Sequence, residues 1–302
     1  MKPYLALMKI DLKLALRLRA VIIFNYLFPL MFFFIYLAFM RVRQDPHRIY
    51  QVLAMVITMG VLGNGLFGAG MRAIQERETN ILRRYKVTPI TPAPLMVASM
   101  ITSWLIFMPY IIFVFVVSHY KYAMPWPSHL LEILVFISVG MVAFRGIGMV
   151  IASVANSMQE GQILVQICYV PMIFFSGATV PADVFPATMQ FISNFIPATY
   201  LVRGIQNMLW QNQGLYAQRG LVGILLLAGA LGATVAIKLF RWEKDEKIRT
   251  SAKLWVVAVL LPFLIFGIVK YQQQRKTAGQ SQPDAPRAEL EKTIPQGEQT
   301  NG

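Results

Sequence analysis

Long apolar stretches alternate with short polar segments along the chain as far as about residue 270. A helix needs roughly 20 mostly apolar residues to cross the hydrocarbon core of a bilayer. Six stretches meet that length: about 20–40, 50–71, 95–118, 130–154, 162–179 and 221–240. A seventh, about 254–269, sits near the short limit and contains Pro262, and it is expected to span as well. The first stretch is too long for a signal-peptide core and no small-residue cleavage site follows it, so it is expected to stay as an anchor. The pattern predicts an all-α, polytopic membrane protein.

The basic residues give this bundle an orientation. Lys2, Lys9, Lys13, Arg17 and Arg19 precede the first span, and Arg72, Arg77, Arg83, Arg84 and Lys86 lie between the second and third. Lys238, Arg241, Lys244, Lys247, Arg249 and Lys253 follow the sixth. If every span crosses, these share one side, sixteen in all against six on the other. Cytoplasmic loops carry the excess of Lys and Arg, so the N-terminus is expected in the cytoplasm. Residues 1–19 place Lys9, Lys13 and Arg17 at four-residue spacing beside Leu5, Met8, Leu12 and Leu16. That pattern fits an amphipathic helix lying in the inner interface, the alternative being a cytoplasmic extension of the first span. The tail, 271–302, is rich in Gln, Pro, Glu, Lys and Thr and is expected to be disordered.

Composition removes several other classes. Of the 302 residues 56% are hydrophobic and only 14% charged, at a mean hydropathy of +0.54, whereas soluble domains average about 25% charged. The net charge of +14 does not indicate nucleic acid, because the basic residues sit in short runs between apolar stretches, not on one polar domain. Cys168 is the only cysteine, which excludes an internal disulfide and a thiolate cluster. No GxxxxGK[ST] phosphate loop, HExxH pair or GxSxG elbow occurs, and His47, His119 and His129 have no metal-ligand spacing. No cofactor is expected on this chain.

Two segments between spans carry unusual chemistry. In 72–94 Glu76, Arg77, Glu78, Arg83 and Arg84 crowd about two turns of helical character around Ile74, Ile81 and Leu82, and Pro89, Pro92 and Pro94 then stop the helix. A short charged helix there would be a lever between two spans; a solvated positive loop is the competing reading. The outside connection, about 180–218, is too apolar for a free loop and too broken by Pro181, Pro186 and Pro197 for one span. Two short helices, 182–196 and 199–210, would dip into the outer leaflet or cover the mouth of a pathway, or else lie flat in the interface.

Charges inside spans mark ion coupling or proton relays, and here they are nearly absent. Glu132 begins the fourth span and Glu160 precedes the fifth. Arg145 lies within the fourth, where snorkelling or a structural hydrogen bond is favoured over lining a polar pathway. The scarcity of intramembrane acids counts against an ion-coupled secondary transporter, and the lack of paired acids, a Ser/His pair or metal ligands against an intramembrane lipid-modifying enzyme. Glycines in the second span (Gly60, Gly63, Gly65, Gly68, Gly70) and the fourth (Gly140, Gly146, Gly148) permit close helix packing.

The run 76–89, ERETNILRRYKVTP, resembles the loop after the second span in permease subunits of type-2 ATP-binding-cassette (ABC) exporters. There an acidic–basic–acidic cluster precedes an apolar residue, arginine and Thr-Pro. The run 175–203 is similar to that family's stretch around the end of the fifth span, with Ser176-Gly177, the spaced prolines 181, 186 and 197, and Tyr200 ahead of Arg203. Asn80 stands where many members carry glycine. The resemblance covers about 1–243 and implies a six-helix permease core over 20–243, with the seventh stretch, about 254–270, and the tail outside it. It further implies a coupling helix at about 72–88, with Glu76, Arg77, Glu78, Leu82, Arg83 and Arg84 docking on a separate ABC ATPase. Outer re-entrant helices are implied at about 180–212, flanked by Ser176 and Gly177. ATP and Mg would be bound by the partner ATPase, a second permease would complete a homodimer or a dimer with a related chain, and the chain would work in efflux from the bacterial inner membrane, catalysing nothing itself.

Overall fold

The computed structural model describes residues 12, 26–40, 48–82, 92–181, 184–243, 246 and 254–280. The expected interfacial helix (apart from Leu12), Arg83 and Arg84, and the tail beyond residue 280 lie outside them. The described residues are helical and contain no strand. In chain order the helices are α1 (Phe28–Phe39), α2 (Arg48–Leu62), a π-helical stretch (Gly63–Met71), α3 (Arg72–Glu78), α4 (Pro92–Tyr122), α5 (Leu130–Val154) and α6 (Met158–Phe175). Two short helices, α7 (Ala187–Ser193) and α8 (Pro197–Trp210), and a 3-10 turn (Leu215–Gln218) lead to α9 (Arg219–Lys238) and α10 (Leu254–Gln280).

Among the described residues four helices are long and apolar enough to cross a membrane: Arg48–Glu78, Pro94–Tyr122, Leu130–Val154 and Leu215–Lys238. Shorter apolar helices run over Pro29–Phe39 and Val259–Val269, the regions of the expected first and seventh spans. The expected fifth span, 162–179, falls on α6 (158–175), which is not among these four because its first turns carry Gln159, Glu160 and Gln162 and lower its hydropathy. The chain is therefore an all-α polytopic membrane protein.

Helix α5 is central, packed along α9 on one side and the π-helical stretch on the other. Both contacts are made backbone to backbone. A Cβ on Gly70 would come within 2.9 Å of the Gly148 carbonyl oxygen, and one on Gly148 would collide with the Gly65 carbonyl. On the opposite side a Cβ on Gly232 would lie 2.7 Å from the Gly146 carbonyl carbon. Small residues allow such approach where lipid gives helices no hydrophobic reason to associate. Phe107, Tyr110, Phe136, Phe144 and Tyr200 fill the wider spaces and are all buried.

The second span departs from the expected pattern. It was expected to end near Met71, before a separate charged helix, but the helix runs unbroken from Arg48 to Glu78. Nothing at Met71–Arg72 breaks a helix, and the glycine-rich run GNGLFGAGM only widens it into π turns. The first real stop is Asn80, at φ 58. That left-handed conformation suits glycine and, next best, asparagine. Thr79 helps close the end by donating its hydroxyl to the Gln75 carbonyl at 2.8 Å.

Candidate functional site

The site is an elbow, residues 155–157, joining α5 to α6. Ser157 caps α6: its Oγ accepts the Glu160 N–H at 3.1 Å, and the Glu160 carboxylate accepts the Asn156 N–H at 2.8 Å. This is close to the Ser-x-x-Glu capping box of a helix start, with the glutamate taking the amide one residue before the cap. The cap points the N-terminus of α6 and the last carbonyls of α5 toward α3.

Helix α3 grips both ends of the elbow with adjacent residues of opposite charge. Arg77, only 4% exposed, donates from Nη1 to the Ala152 carbonyl at 3.0 Å and from Nη2 to the Ala155 carbonyl at 2.6 Å. These carbonyls belong to the C-terminal end of α5, where a cation is favoured. Glu78 Oε1 accepts the Met158 N–H at 2.7 Å, placing a carboxylate at the α6 N-terminus, where an anion is favoured. Between them Ile74 is buried against Ala152 and Ala155, and a Cβ on Gly161 would collide with its Cδ1.

A second arginine closes the elbow from the other side. Arg241, 6% exposed, follows α9 and donates from Nη1 to Asn156 Oδ1 at 2.8 Å and from Nη2 to the Ser153 carbonyl at 3.0 Å and to the Ala155 carbonyl. Burial lowers its pKa from the usual guanidinium range, with Glu160 and Glu246 acting in the opposite direction. The elbow is thus tied to the end of the second span by Arg77 and Glu78, and to the end of α9 by Arg241.

The other sequence-predicted residues fall in three places. Glu76 does not join the grip; it accepts from Arg72 Nε at 2.8 Å, a partly exposed pair one turn apart. Leu82 is buried nearby. Arg145, 2% exposed, reaches across the bundle to Asn64 Oδ1 at 3.1 Å and Ser99 Oγ at 2.7 Å, linking α5 to the π-helical stretch and α4.

The outer residues form a separate cluster. The buried Ser176 Oγ accepts the Ala178 N–H at 3.2 Å, and Gly177 takes a φ of 86 that glycine alone adopts freely. The first expected helix, 182–196, is shorter and later as α7 because Pro186 caps it, whereas the second, 199–210, begins two residues earlier because Pro197 opens α8. The Tyr200 hydroxyl donates to the Asn194 carbonyl, and Arg203 Nη1 to Asn194 Oδ1 at 2.9 Å. Pro181 lies ahead of this pair. On the far side of Tyr200, α10 supplies Phe263 and Phe266, with ring centroids at 5.7 and 5.4 Å.

Sequence reading missed the elbow itself. Ser157-x-x-Glu160 was its visible signal, a helix start immediately after an apolar run. Arg241 entered only as one of many basic residues, and nothing in its neighbourhood marks it as reaching residues 153–156.

Residues 3–210 match the family model described as "ABC-2 type transporter", and the chain belongs to that family, whose members are the membrane component of ABC transporters. Among curated proteins it is similar to the "Inner membrane transport permease YhhJ" of Escherichia coli (strain K12), 25% identical over 65% of this chain and 52% of that protein. It is also similar to the "Probable multidrug ABC transporter permease YbhS" of the same organism, 24% identical over 51% of this chain and 41% of that protein. The chain thus spans about half the length of the curated relatives it matches. No solved structure matches it. Helix α10 lies outside the matched residues.

Proposed function

We propose that the chain is the permease subunit of an ATP-driven exporter of the bacterial inner membrane, with its N-terminus in the cytoplasm. In this reading α3 is the coupling element that receives motion from a separate ABC ATPase, which binds ATP and Mg, and a second permease completes the pathway. The observation that carries the reading is the grip of Arg77 and Glu78 on the elbow. A push on α3 cannot move the second span alone, because the C-terminus of α5 and the N-terminus of α6 are hydrogen-bonded to the same two residues. One displacement at the cytoplasmic surface therefore reaches three spans. The names of the two E. coli relatives, an inner membrane transport permease and a probable multidrug ABC transporter permease, agree with a permease role.

The test is reconstitution with the ATPase subunit and vanadate-sensitive ATP hydrolysis as readout. Hydrolysis is expected only with the partner present. Glu78→Lys, which sets a cation against the α6 N-terminus, is expected to abolish substrate-stimulated hydrolysis while leaving membrane insertion intact. Glu76→Lys, outside the grip, is expected to act more weakly. Substrate movement that persists without ATP and collapses with an uncoupler would refute the reading in favour of an ion-coupled carrier.

A further inference from the structure

Helix α10 falls after the residues matched by the family model, 3–210, yet it packs into the bundle beside α9 and α5. Val259, Phe263 and Gly267 recur every four residues and are buried, whereas Leu261, Leu264, Ile265 and Ile268 are exposed. One face is therefore inward and the other suits lipid. A Cβ on Gly220, in the first turn of α9, would lie 3.9 Å from Phe266 Cζ, so the middle of α10 stands where α9 begins. Residue 246 is still at the elbow, where its carbonyl accepts from Arg241. From there the chain to Leu254 reaches about 29 Å at most, while an α10 parallel to α9 would need Leu254 about 45 Å away. Helix α10 therefore runs back antiparallel to α9. Its 27 residues extend about 40 Å, more than the roughly 30 Å of the hydrocarbon core.

The second half of α10 lies on the hinge between α7 and α8. Asn194 in that hinge, 3% exposed, is held from one side by α8, its carbonyl accepting the Tyr200 hydroxyl and its Oδ1 accepting Arg203. Helix α10 closes the other side. A Cβ on Gly267 would come within 2.8 Å of that same Asn194 carbonyl oxygen and of Phe195 Cδ1, and Phe263 and Phe266 stand against the Tyr200 ring. A small residue is what lets the two backbones approach so closely. Helix α7 itself has little hold on the bundle, since Ser193 alone of its residues is buried. The hydroxyls of Ser193 and Thr199, one on each side of the hinge, are buried without a hydrogen-bond partner among the described residues, a cost that opening to water would remove. The hinge is thus shut at a cost and kept shut by packing. We infer that α10 is a seventh span acting as a clasp: it holds the α7–α8 hinge against the bundle, and the two helices open only when α10 yields. Its position at the outer face rests on the orientation proposed above; the clasp itself does not.

The test uses the full chain in right-side-out and inside-out membrane vesicles and a membrane-impermeant maleimide. Ser193→Cys places a thiol at the buried hinge, in a Cys168→Ala background because Cys168 is the only native cysteine. This parent is expected to label slowly. Gly267→Leu, whose side chain meets the Asn194 carbonyl, is expected to speed labelling from the outer face about tenfold or more, as local opening increases. Gly223→Leu on α9, where an added Cβ meets nothing within 4 Å, is the matched control and should leave the rate unchanged. Phe266→Ala removes a ring without adding bulk; it is expected to act in the same direction and serves if Gly267→Leu fails to fold. Unchanged amide exchange at Met158, in the elbow, establishes that a variant is folded. A parent that labels as fast as an exposed thiol, or folded Gly267→Leu and Phe266→Ala proteins that label no faster than Gly223→Leu, would overturn the clasp. Faster labelling found only in inside-out vesicles would support the clasp and overturn the orientation in the proposed function.

Discussion

Replacing Arg77 by methionine keeps the length and much of the volume of the side chain while removing both donors to the elbow. The Ala152 carbonyl loses its guanidinium, and the Ala155 carbonyl keeps only the one from Arg241. A hydrogen bond to a charged group contributes about 1.5–3 kcal/mol; counting the first in full and the second at half gives about 3 kcal/mol of elbow docking. At 1.4 kcal/mol per factor of ten, that loss raises the local opening equilibrium about 100-fold. Amide hydrogen exchange measures this directly, since local opening sets the protection of backbone N–H groups. The informative amides are Asn156 and Met158, which donate to Glu160 and Glu78. Arg72→Met is the matched control: it breaks a partly exposed pair one turn apart, worth about 0.3–0.5 kcal/mol, and should speed exchange only about twofold. If Arg77→Met and Arg72→Met change these amides alike, Arg77 does not hold the elbow and the proposed transmission route through it fails.

The remaining predictions concern packing. Gly148→Ala is expected to lower the yield of folded protein and its thermal midpoint in detergent, by at least the 1–3 kcal/mol or so typical of overpacking, because the new methyl meets backbone. Gly63→Ala, with nothing within 4 Å, should leave both unchanged. Asn64→Leu is expected to destabilise more than Arg145→Met in the same thermal assay, since it removes an acceptor from a buried guanidinium, whereas the methionine removes the charge itself. Phe263→Ala is expected to cost about 3–5 kcal/mol of local packing and to speed amide exchange in the first turn of α8, where Tyr200 stands against that ring.

Most of the architecture was legible because membrane spans announce themselves by length and hydropathy, and prolines mark where they stop. Pro186 and Pro197 did fix the starts of α7 and α8, although the helices proved shorter than the apolar run around them. The end of the second span was harder to read. Its charged continuation reads as a separate short helix or a solvated loop, yet the backbone has no reason to break before Asn80. Adjacent charges at Arg77 and Glu78 drew attention from the sequence, but their partners did not. Those partners are mostly backbone carbonyls and amides, which every residue owns and no pattern reveals. Arg145 was visible as a lone charge in an apolar helix; that it meets Asn64 and Ser99 depends on how three helices cross.

Where α5 meets α9 and the π-helical stretch, backbone meets backbone at Gly146 and Gly232 on one side and at Gly148, Gly65 and Gly70 on the other. A layer of side chains can shear by changing rotamers; bare peptide planes have nothing to re-sort. These three segments therefore behave as a single chassis. Relative motion is left to α4 and α6, joined to it through side chains, with the polar straps of Arg145 and the elbow setting how far each can travel.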